Sequence, residues 1–223
     1  MPTYIRVWDP LVRVGHWTIV IAFAVAYLSG EEVLSVHVWA GYVVGAAVSI
    51  RVIWGFVGLQ RARFSDFIYS PQAVLTYFAD LVRFRSRRYL GHSPAGGAMV
   101  IALLLMLAGT VVTGLMNLGA DKHMGPLASF YVSRPVAESP TAITQHAGGE
   151  TARGQTKEGE ESAVRELHEL FANLTLIFAG FHFAGVVLAS LVHRENLVAA
   201  MITGRKRAER EPPNLQGGPV FGR

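Results

Sequence analysis

The sequence has no cysteine among its 223 residues. That absence excludes disulfides, thiolate metal sites, iron–sulfur ligation and a haem tethered through CxxCH, and it says nothing about redox compartment. Any porphyrin here is held without a covalent bond. Charge is scarce too: Asp, Glu, Lys and Arg make up 16% of the residues against 51% hydrophobic, and the mean hydropathy is +0.34. A chain this apolar is not an ordinary soluble domain, and its charges are crowded into a few segments. The expected architecture is one all-α, polytopic membrane domain over residues 1–207. No hydrolytic constellation is present.

Four apolar runs carry that expectation. Helix one is predicted from about Val12 to Leu28, with His16 near its start and Trp8 and Trp17 suited to a membrane interface. A cleavable signal peptide is the competing reading, and the second hydrophobic span that follows at once argues against it. Helix two is predicted from about Val36 to Val57. It begins with His37, and Gly41, Val44, Val48 and Arg51 follow on one face, so that Gly41 removes a side chain one turn from His37. An arginine inside a span needs an interior partner; a haem propionate would satisfy Arg51, and so would snorkelling to lipid phosphate. Helix three is predicted from about Ala98 to Leu118, with Gly109, Thr113 and Gly114 but no histidine. His92, just before it, reads as a loop contact or cap rather than a ligand or quinone contact.

The fourth run, Leu170 to Val192, is long enough to span a hydrocarbon core of about 30 Å. His168 and His182 stand fourteen residues apart, which brings them to one face with a rise of about 21 Å. Ala172, Thr175, Ala179, Gly185 and Ala189 form a stripe of small side chains that leaves room for something flat and wide. Two stacked haems fit that description; so does close helix packing with each histidine bonded to a neighbour.

Between the spans, Gly58 to Pro94 is rich in arginine, and Ser70 and Pro71 start a helix in which Val74, Leu75, Phe78, Leu81 and Val82 repeat at helical spacing. An amphipathic helix on the membrane surface is expected there. Gly119 to Arg165 shifts to Gly, Ser, Thr, Pro, Glu and Gln, and reads as a long flexible loop in which His123 and His146 are solvated. Arg205 to Arg207 form a basic stop, and residues 208–223 read as a disordered tail. Placing both termini on one side puts fifteen of the twenty basic residues there, leaving five beside ten acids opposite. By the positive-inside rule the termini are cytoplasmic and the long loop is periplasmic. The pI near 9.6 is then a topology signal, and nucleic acid is not an expected partner.

With that topology His37 faces His168 and His16 faces His182. Two bis-imidazole pairs on facing helices are how a bundle holds b-type haem. The second pair requires a tilt or a staggered start, because His16 lies early in its helix and His182 well inside its own. His193 is the other partner on the right face, but it would separate the two irons by about 37 Å along the axis.

The segments RVWDPLVRVGHW, HVWAGYVVGAAVSIRVIWGFVG, YLGHSPAGGAMV and HELFANLTLIFAGFHFAGVVLASLVHRENLVAAMITGRKR resemble the bacterial cytochrome b561 family, which includes the b-type cytochrome subunits of nickel–iron hydrogenases. GHSPAGG and HRENLVAAMITGRKR are most similar to the branch associated with periplasmic dihaem c-type cytochromes. The resemblance covers all four spans. It implies a four-helix core in the bacterial inner membrane and two haems b at His16, His37, His168 and His182. It also implies electron transfer between a quinone pool and a periplasmic or membrane partner, such as a c-type cytochrome. The long acidic loop departs from the bare core. Two other functions stay open at this stage: a transporter or channel using intramembrane histidines for metal or protons, and a haem anchor for a hydrogenase-like partner.

Overall fold

The computed structural model describes residues 4–30, 32–131 and 149–207, and the backbone alone for 4, 131 and 149–162. Four of its helices are long and apolar enough to cross a membrane: α1 (Pro10–Ser29), α2 (Leu34–Val57), α4 (Pro94–Lys122) and the Ala163–His193 part of α6 (Gly149–His193). The shorter elements are β1 (Tyr4–Arg6), a 3-10 turn at Phe64–Asp66, α3 (Pro71–Val82), α5 (Ala128–Tyr131), α7 (Leu197–Thr203) and β2 (Arg205–Arg207). Helix starts follow local chemistry. Asp9, Ser70, Ser93 and Asn196 each accept a backbone N–H of their helix's first turn, and proline stands at the first helical position of α1, α3 and α4.

The helices pack as two pairs, α1 with α2 and α4 with α6, joined through α2 against α4. Ala22, Val44, Val48 and Leu107 form the core of that junction, with Ile19, Phe23, Leu104, Ala108 and Val111 packed around it. The outer faces are apolar as well: Leu28, Trp39, Phe56, Leu105, Phe181 and Leu191 are all exposed. A bundle that is apolar inside and out has lipid as its solvent.

One end of the bundle carries both termini. There β1 pairs antiparallel with β2, Tyr4 opposite Arg207 and Arg6 opposite Arg205. Val7 N–H and Trp8 N–H both donate to Gly204 O. Arg88 makes a bidentate ion pair with Glu195, whose Oε1 also accepts Arg207 N–H. Lys206 is buried, donates to Tyr89 O and stands over the Trp8 ring. This clasp is absent from the sequence-based expectation, because three-residue strands carry no period to read.

α3 lies against this terminal end. Tyr77 and Leu81 are buried, whereas Leu75, Phe78 and Val82 are exposed, so the helix presents one apolar face inward and a second outward to lipid.

The expected flexible loop is corrected over part of its length. α4 runs on to Lys122, and α6 begins at Gly149 rather than near Leu167. Ala, Arg, Gln, Lys and Glu between them are good helix formers, and extending a helix already nucleated in the membrane needs no new nucleus. His146 and the tail 208–223 lie outside the described residues. His123 is the exposed αL cap of α4.

Candidate functional sites

The far end of the bundle, opposite the termini, brings together His37 of α2 and His168 of α6, with ring centres 6.0 Å apart and planes at 82°. His37 Nδ1 donates to Ala26 O of α1 at 2.8 Å. His168 Nδ1 donates to Thr110 O of α4 at 3.0 Å, and Thr113 Oγ1 lies 3.2 Å from the same nitrogen. Each imidazole is thereby held in one orientation with its Nδ1–H committed to a carbonyl, which leaves Nε2 as the nitrogen available to a ligand. Glycine makes the room for His168: a Cβ at Gly114 would stand 2.9 Å from its Cε1, and one at Gly109 would strike the Phe171 ring. A Cβ added at Gly41, by contrast, would meet no protein atom within 4 Å, and the same holds at Gly185.

About 21 Å along α6 from His168, His182 faces His16 of α1, ring centres 6.4 Å apart and planes at 57°. The staggered start resolves itself because α6 runs on to His193. His16 packs edge-on against Trp17, and its Nδ1 is buried without a hydrogen-bond partner. His193 is placed elsewhere: its Nε2 lies 3.5 Å from Tyr77 Oη and 3.4 Å from Ser86 Oγ, which ties α6 to α3.

Two imidazoles ligating one iron from opposite sides stand about 6 Å apart centre to centre, since each nitrogen approaches a transition metal to about 2 Å. Both pairs meet that spacing. Each supplies two nitrogens, the number a porphyrin iron needs. A bare cation would need more donors, and among the described residues no group of three or more His, Asp or Glu converges. The small stripe of α6 divides in two: Thr175 is 2% exposed and hydrogen-bonded to Thr110, so it belongs to the α4 interface.

Arg51 of α2 is 8% exposed, and both its Nη atoms are buried without partners. Its guanidinium carbon lies 5.3 Å from the Phe64 ring centre and 5.9 Å from that of Phe67. Gly55 admits Phe64, since a Cβ there would stand 2.1 Å from the ring. Gly97 lets α4 close onto Phe67 O, which a Cβ would approach to 2.2 Å. His92 packs against Phe67 at 4.4 Å and edge-on to Trp8 at 4.7 Å, its Nδ1 buried and unpartnered. Burial, and then the positive charges of Arg51, Lys206 and His182, push this imidazole down to about 3. From the sequence His92 reads as a loop contact. Its place beside Arg51 depends on a turn that no motif announces, although GHSP does mark it as the residue before the N-cap.

A profile of the family described as prokaryotic cytochrome b561 matches residues 7–204. The chain is 22% identical over 235 residues to a protein of Rhodobacter capsulatus named "Probable Ni/Fe-hydrogenase B-type cytochrome subunit", with 92% of this chain and 82% of that one covered. No solved structure matches it.

Proposed function

Because the chain belongs to the prokaryotic cytochrome b561 family and is a multi-pass b-haem electron-transfer protein of the inner membrane, we propose that it holds two haems b. They would sit between His37 and His168 and between His16 and His182, with Gly41 clearing space at the first and Arg51 neutralising a propionate at the second. The observation that carries this reading is the repetition of one geometry: two facing imidazole pairs at ring separations of 6.0 and 6.4 Å on the same helix. Bound haem supplies reversible one-electron chemistry.

The chain does the rest. α1, α2 and α6 supply ligands on rigid helices; α4 supplies none, and instead orients His168 through its Thr110 carbonyl and yields space at Gly114. Apolar packing keeps water from the sites, and the spacing along α6 sets the length of the electron path. With the termini cytoplasmic, the His37/His168 site lies toward the periplasm. Electrons then pass across the bilayer between a quinone pool and a periplasmic partner, a soluble c-type cytochrome being the candidate that the acidic segment before His168 favours. A second reading is supported by the Rhodobacter capsulatus relative: the chain as haem anchor of a hydrogenase-like complex. A transporter is disfavoured by the two-donor count at each pair.

The test is a reduced-minus-oxidised spectrum of the purified, fully loaded protein with haem counted per chain. Two low-spin b-type haems per chain, extractable by acidified solvent, are expected. One or none overturns the proposal.

A further inference from the structure

A guanidinium buried in a membrane bundle with no acceptor is among the costliest arrangements a protein can hold. Buried polar atoms without partners call for an explanation. Arg51 Nη1 and Nη2 and His92 Nδ1 are three such atoms. They arrive from different segments, α2 and the turn before α4, and both pack against Phe67, which is 1% exposed. No carboxylate of the described residues pairs with either: Glu195 is taken by Arg88 and the Arg207 N–H, and Asp66 accepts the Arg61 N–H.

The packing holds them in this state. Phe64 and Phe67 are pressed under Arg51 through Gly55 and Gly97, Trp8 closes over His92, and Ser93 caps α4 so that His92 is held just outside the helix. Lys206 and Arg51 are both within electrostatic reach of His92, and so is His182. Arg51 stands fourteen residues along α2 from His37, a rise of about 21 Å that matches the His168-to-His182 step on α6 and brings this cluster to the level of the His16/His182 pair; the cluster is positive, and its free atoms are all donors or able to donate. Its complement is an anion with two acceptor oxygens and an apolar body.

We propose that Arg51 and His92 together form a carboxylate receptor, Arg51 as the charge and His92 as the directional N–H donor, and that it grips a propionate of the haem held between His16 and His182. The inference rests on the two-haem reading above and adds His92 to it as a positioning residue. A neutral imidazole with one nitrogen aimed at the carboxylate orients the porphyrin without adding a charge, while the guanidinium compensates the propionate. Both interactions reduce the negative potential felt by the iron, so losing either favours the oxidised state and lowers the midpoint potential of that haem alone.

The test uses the full-length holoprotein. His92→Phe keeps a ring between Phe67 and Trp8 but has no N–H, and His92→Gln restores a donor. The Phe variant should load two haems, show a lowered midpoint potential for the His16/His182 haem only, and release that haem at least tenfold faster; the Gln variant should recover most of both. Reloaded with haem dimethyl ester, wild type and His92→Phe should become indistinguishable, because the group His92 grips is gone. An unshifted potential, equal shifts in both haems, or a His92→Phe effect that persists with the ester overturns the receptor. A wild-type chain carrying no haem at the His16/His182 site overturns the two-haem reading instead.

Discussion

The two histidine pairs of this bundle match in spacing and differ in everything around them. At the far end both imidazoles donate Nδ1–H to backbone carbonyls, Ala26 O and Thr110 O, and the basic residues of those helix ends, Lys122 and Arg165, are exposed and paired with Asp121 and Glu169. At the terminal end His16 Nδ1 has no partner, and the buried Arg51 and Lys206 stand around His92 at that end of the bundle. A ligating imidazole that donates to a carbonyl is a stronger base and stabilises the oxidised metal, whereas nearby positive charge stabilises the reduced one. On the proposed two-haem reading, this difference would poise one ligand set at two potentials through its neighbours alone, with the terminal-end site the higher. On that reading, electrons driven by potential alone would run from the far end to the terminal end.

The largest effects should come from the ligands. His37→Leu or His168→Leu should remove the far-end haem and leave the higher-potential one, and His16→Leu or His182→Leu should do the reverse. A double variant within a pair should look like either single, since one lost ligand already unmakes the site. His123→Ala and His193→Ala should leave both spectra nearly intact. Redox titration of each one-haem variant assigns the potentials. A far-end haem with the higher midpoint breaks the comparison, and His193→Ala removing a haem that His182→Ala leaves breaks the pairing.

Next come the glycines. Gly114→Ala puts a methyl 2.9 Å from His168 Cε1, so it should loosen the far-end haem and shift its spectrum without touching the other. A Cβ added at Gly41 meets no protein atom within 4 Å; loss of the far-end haem from Gly41→Val would report the porphyrin's own volume. Full haem content in Gly41→Val removes Gly41 from the site.

A smaller effect belongs to the clasp, which the far end lacks. Burial alone would raise the Glu195 carboxyl, but the hydrogen bond and charge of Arg88, the Arg207 N–H and Lys206 outweigh it and hold the carboxyl below its ordinary value near 4.5. A group depressed on folding adds stability that is present above its ordinary value and lost as pH falls through the folded one. Thermal unfolding in detergent should therefore show about 1 kcal/mol or less of acid-sensitive stability below pH ~4.5 that Glu195→Gln abolishes. The same pH response in wild type and variant would place the sensitivity elsewhere.

The smallest effect is at the far-end surface. Deleting residues 141–162 should slow electron exchange with a basic c-type cytochrome at low ionic strength and leave both haem spectra unchanged, as expected when acidic charge steers a weak encounter. Exchange rates that are the same with and without the segment at every salt concentration reduce it to a tether.

Four spans, their order, the four paired histidines and the intramembrane arginine were all legible in the chain, because membrane helices advertise themselves by unbroken apolar length and fix side-chain direction by a constant period. The capping residue Ser70 was legible for the same local reason, whereas Ser93 and the start of α4 at Pro94, ahead of the expected Ala98, were not. The helical course of α6 before Leu167 was not: its composition suits a solvated loop, and only continuity with the span below makes it a helix. The carbonyls that orient His37 and His168 have no sequence signature, since any residue carries one; Ala26 and Thr110 serve because of where α1 and α4 pass. Gly114, Gly55 and Gly97 acquire meaning only once His168, Phe64 and Phe67 are packed against them. His92 was a loop residue until the Phe64–Asp66 turn folded beneath Arg51. Residue identity and helical period determined which groups face the interior, while tertiary packing decided which of them meet a partner there and which are left with a free nitrogen.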